Sequence, residues 1–375
     1  MKFTAMVLIG LEKLAKDEIK ALGIKILDSS PGKITFEGSL ETLYLANLRL
    51  RTVERILIVV GEGPAKDFDE LFETIQNISW AEFLAPPCRV VFDKVRIRDS
   101  ALTSISAIQA VAQKALYQKL TSAYRVNQWN EAGPTVDIRL YLDKNRITVG
   151  LDTSGDGLTK RGYRKMTSAA SLKETLASAL LLFSGWRRRS PLADPFCGSG
   201  TILTEALLFA FNIPPGLHRN FGFENLKIHS PDLWKKVKAD GEAGIDTSHK
   251  VRLWGSDKDK NVLYAAKANL QALGLEEYVK LDHIQMEEAS APFDEPGFLI
   301  SNPPFGERLE DKVSVKELYR KMGDLRERFP QWKFGFLTTT AEFPELFGQP
   351  SFQHRKLHNG SMDLHYFQFL PESGE

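Results

Sequence analysis

Both the fold and the chemistry depend on one ten-residue stretch, Leu192-Ala193-Asp194-Pro195-Phe196-Cys197-Gly198-Ser199-Gly200-Thr201. An apolar strand pattern ends at Asp194, and an apolar helical pattern begins at Gly200. Doubly wound sheets bind ligands where a strand ends and a helix begins. Glycine lets the backbone turn sharply and approach a ligand, which predicts a binding turn at Gly198 and Gly200. The stretch lacks the third glycine of a dinucleotide site and the lysine of a P-loop.

An alternation of short strands and helices surrounds this glycine turn. Strands are predicted at 191–194, 251–256, 279–283, 297–301 and 333–338, and helices at 172–183, 200–210, 261–273 and 315–329. Strands separated by helices favour an α/β fold with a doubly wound, mostly parallel sheet. Two last strands, 352–357 and 364–370, flank the turn His358-Asn359-Gly360-Ser361, which predicts an antiparallel hairpin that closes the sheet.

The front half of the chain has an α+β pattern. Its first part reads strand 3–9, helix 11–22, strand 24–28, strand 33–37, helix 40–50 and strand 55–60. That order is typical of a ferredoxin-like unit. A linker is predicted at Gly61-Glu62-Gly63-Pro64. A second unit follows, with helices at 68–78 and 103–120 and strands at 89–95, 136–142 and 146–151.

Composition excludes several classes of protein. A chain of 375 residues favours two or three domains. Cys88 and Cys197 are the two cysteines, and their wide separation argues against a disulfide framework or a zinc site. The histidines show no metal-ligand spacing, so no metal is predicted. No stretch approaches membrane-spanning length, so we expect no membrane partner and a cytoplasmic location.

Charge is distributed unevenly along the chain. From Arg89 to Ser190 there are eighteen Lys and Arg against eight Asp and Glu, a balance of +10. From Glu276 to Asp311 there are two against ten, a balance of −8. Such asymmetry is a hint of a polyanion-binding segment, but two ordinary solvated faces would give the same counts.

A second polar group follows the next strand. Gly255-Ser256-Asp257 places an acid at the end of strand 251–256. A carboxylate one strand after a glycine turn is placed to accept ribose hydroxyls. Because Asp257 also precedes helix 261–273, it has the alternative of a helix N-cap.

A third group is Asn302-Pro303-Pro304-Phe305, directly after strand 297–301. Two prolines withhold their N–H groups and end the strand ladder. The Asn302 side-chain oxygen and the Pro303 carbonyl remain as rigid acceptors for the two hydrogens of an exocyclic base amine. Such acceptors would free the nitrogen lone pair to attack a sulfonium methyl group, and Phe305 would stack on an extruded base. The alternative is a structural turn closed by an aromatic side chain.

With these segments in place, the sequence resembles the THUMP-domain methyltransferases. Within them it is similar to the bacterial group related to the large-subunit ribosomal RNA guanine-N2 methyltransferase. The resemblance spans nearly the whole chain and rests on Lys160-Arg161-Gly162-Tyr163-Arg164, Ala170-Ser171-Leu172-Lys173-Glu174-Thr175-Leu176-Ala177, Asp194 to Thr201 and Asn302 to Phe305. It implies a ferredoxin-like domain at 1–62, a THUMP RNA-binding domain at 63–157 and a Rossmann-like methyltransferase domain at 158–375.

The resemblance also implies roles for particular residues. The cofactor would be S-adenosylmethionine, with its methionine end lined by Asp194, Phe196, Gly198 and Gly200 and its ribose held by Asp257. Asn302, Pro303, Pro304 and Phe305 would form the catalytic segment, with Asn302 also next to the cofactor. The adenine would meet Gln285 and Met286, where the family often has an acid, and Asp282 competes for that position.

Two basic segments have both structural and functional interpretations. Lys160, Arg161, Tyr163 and Arg164 suit an RNA backbone with a stacked base, and the resemblance favours RNA contact over a solvated linker. Trp186-Arg187-Arg188-Arg189 ends a helix, where cations favour the helix dipole, and a structural role is predicted there. On the following helix, Glu205 either orients the glycine turn or is an exposed acid.

Together these patterns predict an RNA methyltransferase whose front half binds structured RNA, ribosomal RNA by resemblance. Its target would be an exocyclic purine amine, guanine N2 by resemblance alone. Three alternatives stay open: an adenine-N6 methyltransferase on RNA or DNA, a glutamine side-chain methyltransferase, and a non-enzymatic RNA-binding ribosome assembly factor.

Overall fold

A computed structural model describes residues 1–166, 171–306, 309–360 and 362–371. Its strands are β1 (Lys2–Val7), β2 (Lys25–Ser30), β3 (Lys33–Glu37), β4 (Val53–Pro64), β5 (Arg89–Arg98), β6 (Thr135–Asp143), β7 (Arg146–Asp152), β8 (Leu192–Asp194), β9 (Leu253–Ser256), β10 (Val279–Asp282), β11 (Phe298–Ser301), β12 (Lys333–Thr338), β13 (Gln353–Asn359) and β14 (Met362–Phe369).

The helices of the same residues are α1 (Glu12–Ala21), α2 (Leu40–Arg49), α3 (Phe68–Gln76), α4 (Trp80–Phe83), α5 (Ile105–Tyr124), α6 (Glu174–Ser184), α7 (Thr201–Ala210), α8 (Pro231–Ala243), α9 (Lys260–Gln271), α10 (Leu309–Lys321), α11 (Leu325–Arg328) and α12 (Phe343–Phe347). Short 3-10 helices lie at Gly222–Asn225, Glu276–Tyr278, Met286–Glu288 and Met322–Asp324. None of the helices described is both long and apolar enough to cross a membrane.

The first seven strands form one sheet, in the order β2-β3-β1-β4-β7-β6-β5. The ferredoxin-like order of the first six elements is confirmed. Alternation along β1 turns Phe3, Ala5 and Val7 inward, where they meet Ala15 and Ile19 of α1. Helix α3 packs on β4, α5 packs on β5 and on α3, and one apolar core runs beneath both front units.

The predicted linker at residues 61–64 is wrong, because this segment continues β4. Gly61 pairs with Val149 of β7, and Pro64 pairs with Arg146. The glycines are needed for packing: a Cβ at Gly61 would lie 2.6 Å from the Ile78 side chain. The predicted boundary between residues 62 and 63 therefore falls inside a strand shared by both front units, and the domain boundaries themselves stay predictions.

The other seven strands form the second sheet, in the order β10-β9-β8-β11-β12-β14-β13. Strands β10, β9, β8, β11 and β12 are parallel, whereas β14 runs antiparallel to β12 and pairs with β13. The doubly wound sheet closed by a hairpin is confirmed, although Ser361 of the predicted turn lies outside the described residues. The carboxyl ends of β8, β9 and β11 meet at one edge, which we call the carboxyl edge.

One long helix was missed and another begins earlier than expected. Helix α8 is capped by Ser230 and carries Pro231 in its first turn. Its Trp234 and Val237 join the core of the first sheet, where Trp234 packs on Tyr44 with 5.6 Å between ring centroids. The helix predicted at 315–329 is instead α10, a 3-10 turn and α11 in succession.

Candidate active site

The glycine turn connects β8 to α7, and its two glycines serve different purposes. Gly198 has a φ of +53° and open space where a Cβ would stand, so a ligand has access to the backbone there. Gly200 has a φ of +77°, and a Cβ on it would lie 3.0 Å from the Cβ of Ala266 on α9. Gly198 therefore leaves its backbone accessible to a ligand, whereas Gly200 allows two helices to pack closely.

Asp257 connects the end of β9 to the glycine turn. Its Oδ2 accepts a hydrogen bond of 3.0 Å from the amide of Gly198, and its Oδ1 accepts one of 3.0 Å from Asp259. The N-cap interpretation of Asp257 is wrong, because Asp259 caps α9 by accepting from the amide of Asn261 at 2.8 Å. Asp257 is half-buried, and its remaining acceptor positions are available to a ribose.

Asp194 connects the glycine turn to β11. The hydroxyl of Ser301 and the amide of Phe196, at 3.1 Å, both donate to its Oδ1. Burial raises the pKa of Asp194 to about 7, with a further contribution from the negative charge of Asp257. A cation placed beside this carboxylate would be strongly favoured, which suits the ammonium of a bound amino acid moiety.

Asn302 carries an acceptor that the protein itself does not use. Its Oδ1 is buried and has no hydrogen-bond partner among the described residues. Leaving such an atom unsatisfied costs about 1–3 kcal/mol, so a ligand that donates a hydrogen bond would be stabilised there. Pro303 beside it is buried, Pro304 is exposed and Phe305 is half-buried.

Two residues that the sequence analysis missed hold this segment. The hydroxyl of Tyr319 on α10 donates to the carbonyl of Pro304 at 2.9 Å, and Thr338 at the end of β12 donates to the Tyr319 hydroxyl at 3.1 Å. Tyr319 is buried, and burial raises its pKa. In the sequence, the only sign of this role is that Tyr319 places a hydroxyl group at an otherwise apolar position of the helix.

Of the two residues predicted to contact the adenine, Gln285 is accessible to a ligand but Met286 is not. Gln285 is exposed at the carboxyl edge. Met286 is buried in the core, with its sulfur 3.6 Å from Arg328, which argues against packing on a ligand. The competitor Asp282 already accepts from the indole N–H of Trp254 at 2.7 Å and pairs with Lys280.

The predicted RNA contacts of Arg161 and Tyr163 need correction, because both side chains are buried. Arg161 donates to the carbonyls of Leu158 and Arg51, and its Nε lies 3.5 Å from Glu205. Tyr163 donates to Glu205 at 3.2 Å. Glu205 is fully buried on α7 rather than exposed. These groups tie the first sheet to the helix that begins at the glycine turn.

Arg164 also braces the glycine turn, whereas Lys160 remains exposed. The Arg164 guanidinium pairs with Glu174 at 2.7 Å and donates to Ser199 at 3.2 Å and Thr201 at 3.1 Å. Lys160 forms a surface ion pair with Asp156. The matching segment 170–177 leads into α6, but Ala170 lies outside the described residues.

Asn269 of α9 was also missed. It is buried and donates to the carbonyl of Ser199 at 3.2 Å, and it accepts from the amide of Lys165 at 2.8 Å. A polar side chain on the apolar face of a helix was its only sign in the sequence. Across the described residues, no group of three or more His, Cys, Asp or Glu side chains is arranged to hold a metal ion.

The carboxyl edge thus combines an open glycine turn, a half-buried acid at the end of β9 and an unsatisfied amide oxygen on a doubly wound sheet. This combination defines an S-adenosylmethionine-dependent methyltransferase. The chain belongs to the family described as RMKL-like, methyltransferase domain, which matches residues 161–368. An RlmL ferredoxin-like domain matches residues 2–57, and a THUMP domain matches residues 65–152.

Known relatives agree with this assignment. "Putative RNA methyltransferase YpsC" of Bacillus subtilis is 35% identical over 364 residues, which are 96% of this chain and 93% of that protein. "Ribosomal RNA large subunit methyltransferase K/L" of Colwellia psychrerythraea is 32% identical over 373 residues, 96% of this chain and 52% of that protein. The chain thus spans about half the length of the latter relative.

A solved structure extends the agreement to the whole fold. The crystal structure of "SMU.472, a putative methyltransferase complexed with SAH" superimposes with a TM-score of 0.93 at 34% identity. The match covers 100% of this chain and 99% of that one. The two-sheet architecture is therefore shared from one end of the chain to the other.

Proposed function

We propose that this protein transfers the methyl group of S-adenosylmethionine to an exocyclic purine amine in RNA, namely guanine N2 in large-subunit ribosomal RNA. The buried and unsatisfied Oδ1 of Asn302 carries this proposal. An exocyclic amine supplies the hydrogen-bond donor that this oxygen lacks. A hydroxyl or a ring carbon would offer at most one donor and would leave the Pro303 carbonyl unmatched.

The residues of the Asn302–Phe305 segment prepare the amine for attack. When bound, S-adenosylmethionine supplies an electrophilic methyl group on a positively charged sulfur. Asn302 Oδ1 and the Pro303 carbonyl accept the two amine hydrogens, which draws the nitrogen toward tetrahedral geometry and frees its lone pair. Phe305 stacks on the flipped base. Tyr319 fixes the segment through Pro304, so that the acceptors are oriented before the substrate arrives.

The cofactor would be held at the carboxyl edge by residues from three strands. Asp194 faces its ammonium and Asp257 its ribose hydroxyls, with the open backbone of Gly198 between them. Gln285 is proposed as the adenine contact, because it is exposed at this edge. The positive cofactor would also favour the ionised form of Asp194.

RNA is supported as the substrate class by the THUMP domain match and by the names of relatives. Relatives named ribosomal RNA large subunit methyltransferase K/L support ribosomal RNA, and their activity is carried over here as a proposal because the chain spans about half their length. Lys160 is proposed as an RNA contact because its ammonium is exposed, and Arg164, which is half-buried, is proposed as a second contact nearby in the chain.

The test is transfer of labelled methyl from S-adenosylmethionine to deproteinised ribosomal RNA, followed by nucleoside analysis. We expect N2-methylguanosine from the native protein and none from Asn302→Ala. Asn127→Ala is the matched control, because Asn127 is exposed in the first sheet's region, away from the carboxyl edge. It should retain full transfer.

Other results would select among the alternatives. If the product were N6-methyladenosine, the proposed mechanism would stand but the target base would be adenine. Methylation of glutamine in a protein, with none in RNA, would show that the substrate is a protein side chain. If the Asn302→Ala variant kept its full biological effect in cells, the protein would be a non-enzymatic ribosome assembly factor rather than an enzyme.

A further inference from the structure

A second charged site lies at the opposite end of the methyltransferase sheet from the carboxyl edge. We call it the basic pocket, a depression of about 440 Å³ lined by Arg189, Ser248, His249, Lys250 and Arg252. These residues immediately precede β8 and β9, so they lie at the amino ends of those strands. With three or four residues per strand, the basic pocket is roughly 10–15 Å from the carboxyl edge.

Two loops are joined to form the basic pocket. Arg252 donates to the carbonyl of Arg189 at 3.4 Å, and the amide of Leu192 donates to the carbonyl of Arg252 at 2.9 Å. A second connection joins the side chains, with Arg189 Nη2 lying 3.2 Å from His249 Nδ1. The other ring nitrogen of His249 faces Asp246 at 3.1 Å. Arg189, His249 and Arg252 are therefore held in place by these contacts.

The positive charge of this region is poorly neutralised. Among the described residues, Arg187, Arg188, Arg189 and Lys250 have no carboxylate partner within 4.0 Å, although the ring of Phe209 lies 4.5 Å from Arg188. Two acids are engaged at the lining, Asp246 facing His249 and Glu295 paired with Arg252, and neither forms an ion pair with Arg189 or Lys250. Like charges held together repel, and an anion brought among them would relieve that repulsion.

We propose that the basic pocket binds the phosphodiester backbone of RNA as a second contact surface, separate from the carboxyl edge. The inference rests on the proposed function, which supplies RNA as the substrate. Guanidinium groups pair with phosphate oxygens through two parallel hydrogen bonds. The lining contains no apolar side chain, whereas a protein partner would need an apolar anchor at its centre. A large structured RNA is thereby held on two ends of one sheet.

The test measures RNA affinity as a function of salt, with deproteinised large-subunit ribosomal RNA as the probe. In the double variant Arg189→Ala with Lys250→Ala, each lost phosphate contact should reduce the magnitude of the slope of log affinity against log salt by about 0.7–0.9. The charge-preserving variant Arg189→Lys with Lys250→Arg should keep the native slope. Equal thermal unfolding midpoints would verify that the exposed substitutions leave folding intact.

A matched control removes the same charge elsewhere. Lys20 and Lys235 are exposed on α1 and α8, and the double variant Lys20→Ala with Lys235→Ala should keep the native slope. Equal loss in both alanine variants would assign the effect to net charge and overturn the proposal. An unchanged slope in the Arg189 and Lys250 variant would overturn it too and point to a protein partner. If the native protein fails to bind this RNA, the proposed function falls with it.

Discussion

Hydrogen bonds at the carboxyl edge cross from one motif to the next. Asp257 accepts from Gly198, and Asp194 accepts from Ser301, so groups separated by more than fifty residues in the chain are fixed against one another. Each bond satisfies a buried or half-buried acceptor. At the scale of single residues, cofactor affinity should therefore respond to changes in either carboxylate.

The first prediction concerns the pH dependence of cofactor binding. The folded protein holds the pKa of Asp194 at about 7, because burial disfavours the charged carboxylate. The anion is the form that attracts an ammonium, so lowering the pH through 7 should weaken binding. We expect affinity for S-adenosylhomocysteine to fall roughly fivefold from pH 7 to pH 6, since the ionised fraction falls by that factor.

Calorimetry at the two pH values would measure this change. Asp194→Asn removes the titrating group and should bind weakly at both pH values. Native affinity that does not vary between pH 6 and pH 7 would show that Asp194 does not face the ammonium.

The second prediction separates ribose binding from helix capping. Asp257→Ala should weaken cofactor binding by roughly 1–3 kcal/mol, because ribose hydroxyls would lose their acceptor. Asp259→Ala should instead lower the free energy of unfolding by roughly 0.5–2 kcal/mol, the effect of a lost N-cap, while keeping cofactor affinity. Calorimetry would measure cofactor affinity and urea unfolding would measure stability for both variants. Weaker cofactor binding in Asp259→Ala, with a loss of stability alone in Asp257→Ala, would contradict the assignment.

At the residue level the sequence predicted the polar groups at strand ends but not their partners. Asp194, Asp257 and Asn302 stand out because each follows an apolar strand. Ser301 does not stand out, since a serine at a strand end has many uses. Burial of Arg161 was equally hidden, because it depends on Arg51 and Glu205, which are distant in the chain.

At the scale of elements, α10 and β12 hold the Asn302–Phe305 segment, which we propose to be catalytic, through the hydroxyls of Tyr319 and Thr338. Tyr319→Phe deletes the hydroxyl that fixes Pro304 and keeps the buried ring. We expect kcat to fall about 10- to 100-fold, the effect of a small misplacement, with cofactor affinity unchanged. Single-turnover methyl transfer and calorimetry would measure both quantities.

Tyr366→Phe is the matched control for that variant. Its hydroxyl is also buried, but it donates to the carbonyl of Leu180 on α6 at 3.3 Å. Transfer should be unaffected by its loss. If both variants lose kcat equally, the effect belongs to core packing and Tyr319 has no particular role.

Elements with a clear hydrophobic period were the ones the sequence predicted well. The parallel strands and α7 and α9 follow from short apolar runs and helical spacing. Helix α8 was missed because its lysines and acids outnumber its apolar residues, and its helical form depends on Trp234 and Val237 meeting the first core. The end of β4 was missed because Gly and Pro usually interrupt strands.

At the scale of the whole molecule, buried polar groups join the two sheets. Arg161 connects Arg51, which directly precedes β4 of the first sheet, with Glu205 of α7. Arg161→Ala would remove the cation that pairs with the buried Glu205, which would keep the hydrogen bonds from Tyr163 and Ser178 and the charge of Arg51, so we expect a loss of about 3 kcal/mol in the free energy of unfolding. Urea unfolding would measure it. Lys160→Ala, one residue away, breaks only a surface pair and should change stability little.

The charge count along the chain predicted a basic region but not its shape. Arg161 and Arg164 lie inside the molecule as braces, while Arg187, Arg188 and Arg189 lie near the amino ends of the second sheet's strands. Residues counted together in sequence are therefore distributed over a buried connection and a remote surface. Charge becomes a surface property only after folding, so no count along a chain could separate these groups.

The twelve residues of β4 have one more consequence. Its first half pairs with β1 and its second half with β7, so the strand belongs to both front units at once. The two units therefore cannot rotate relative to each other. Removing either unit would leave an unpaired sheet edge, and unpaired edges promote aggregation. The two front units therefore form one rigid body, so a ligand bound to either unit would keep a fixed position relative to the other.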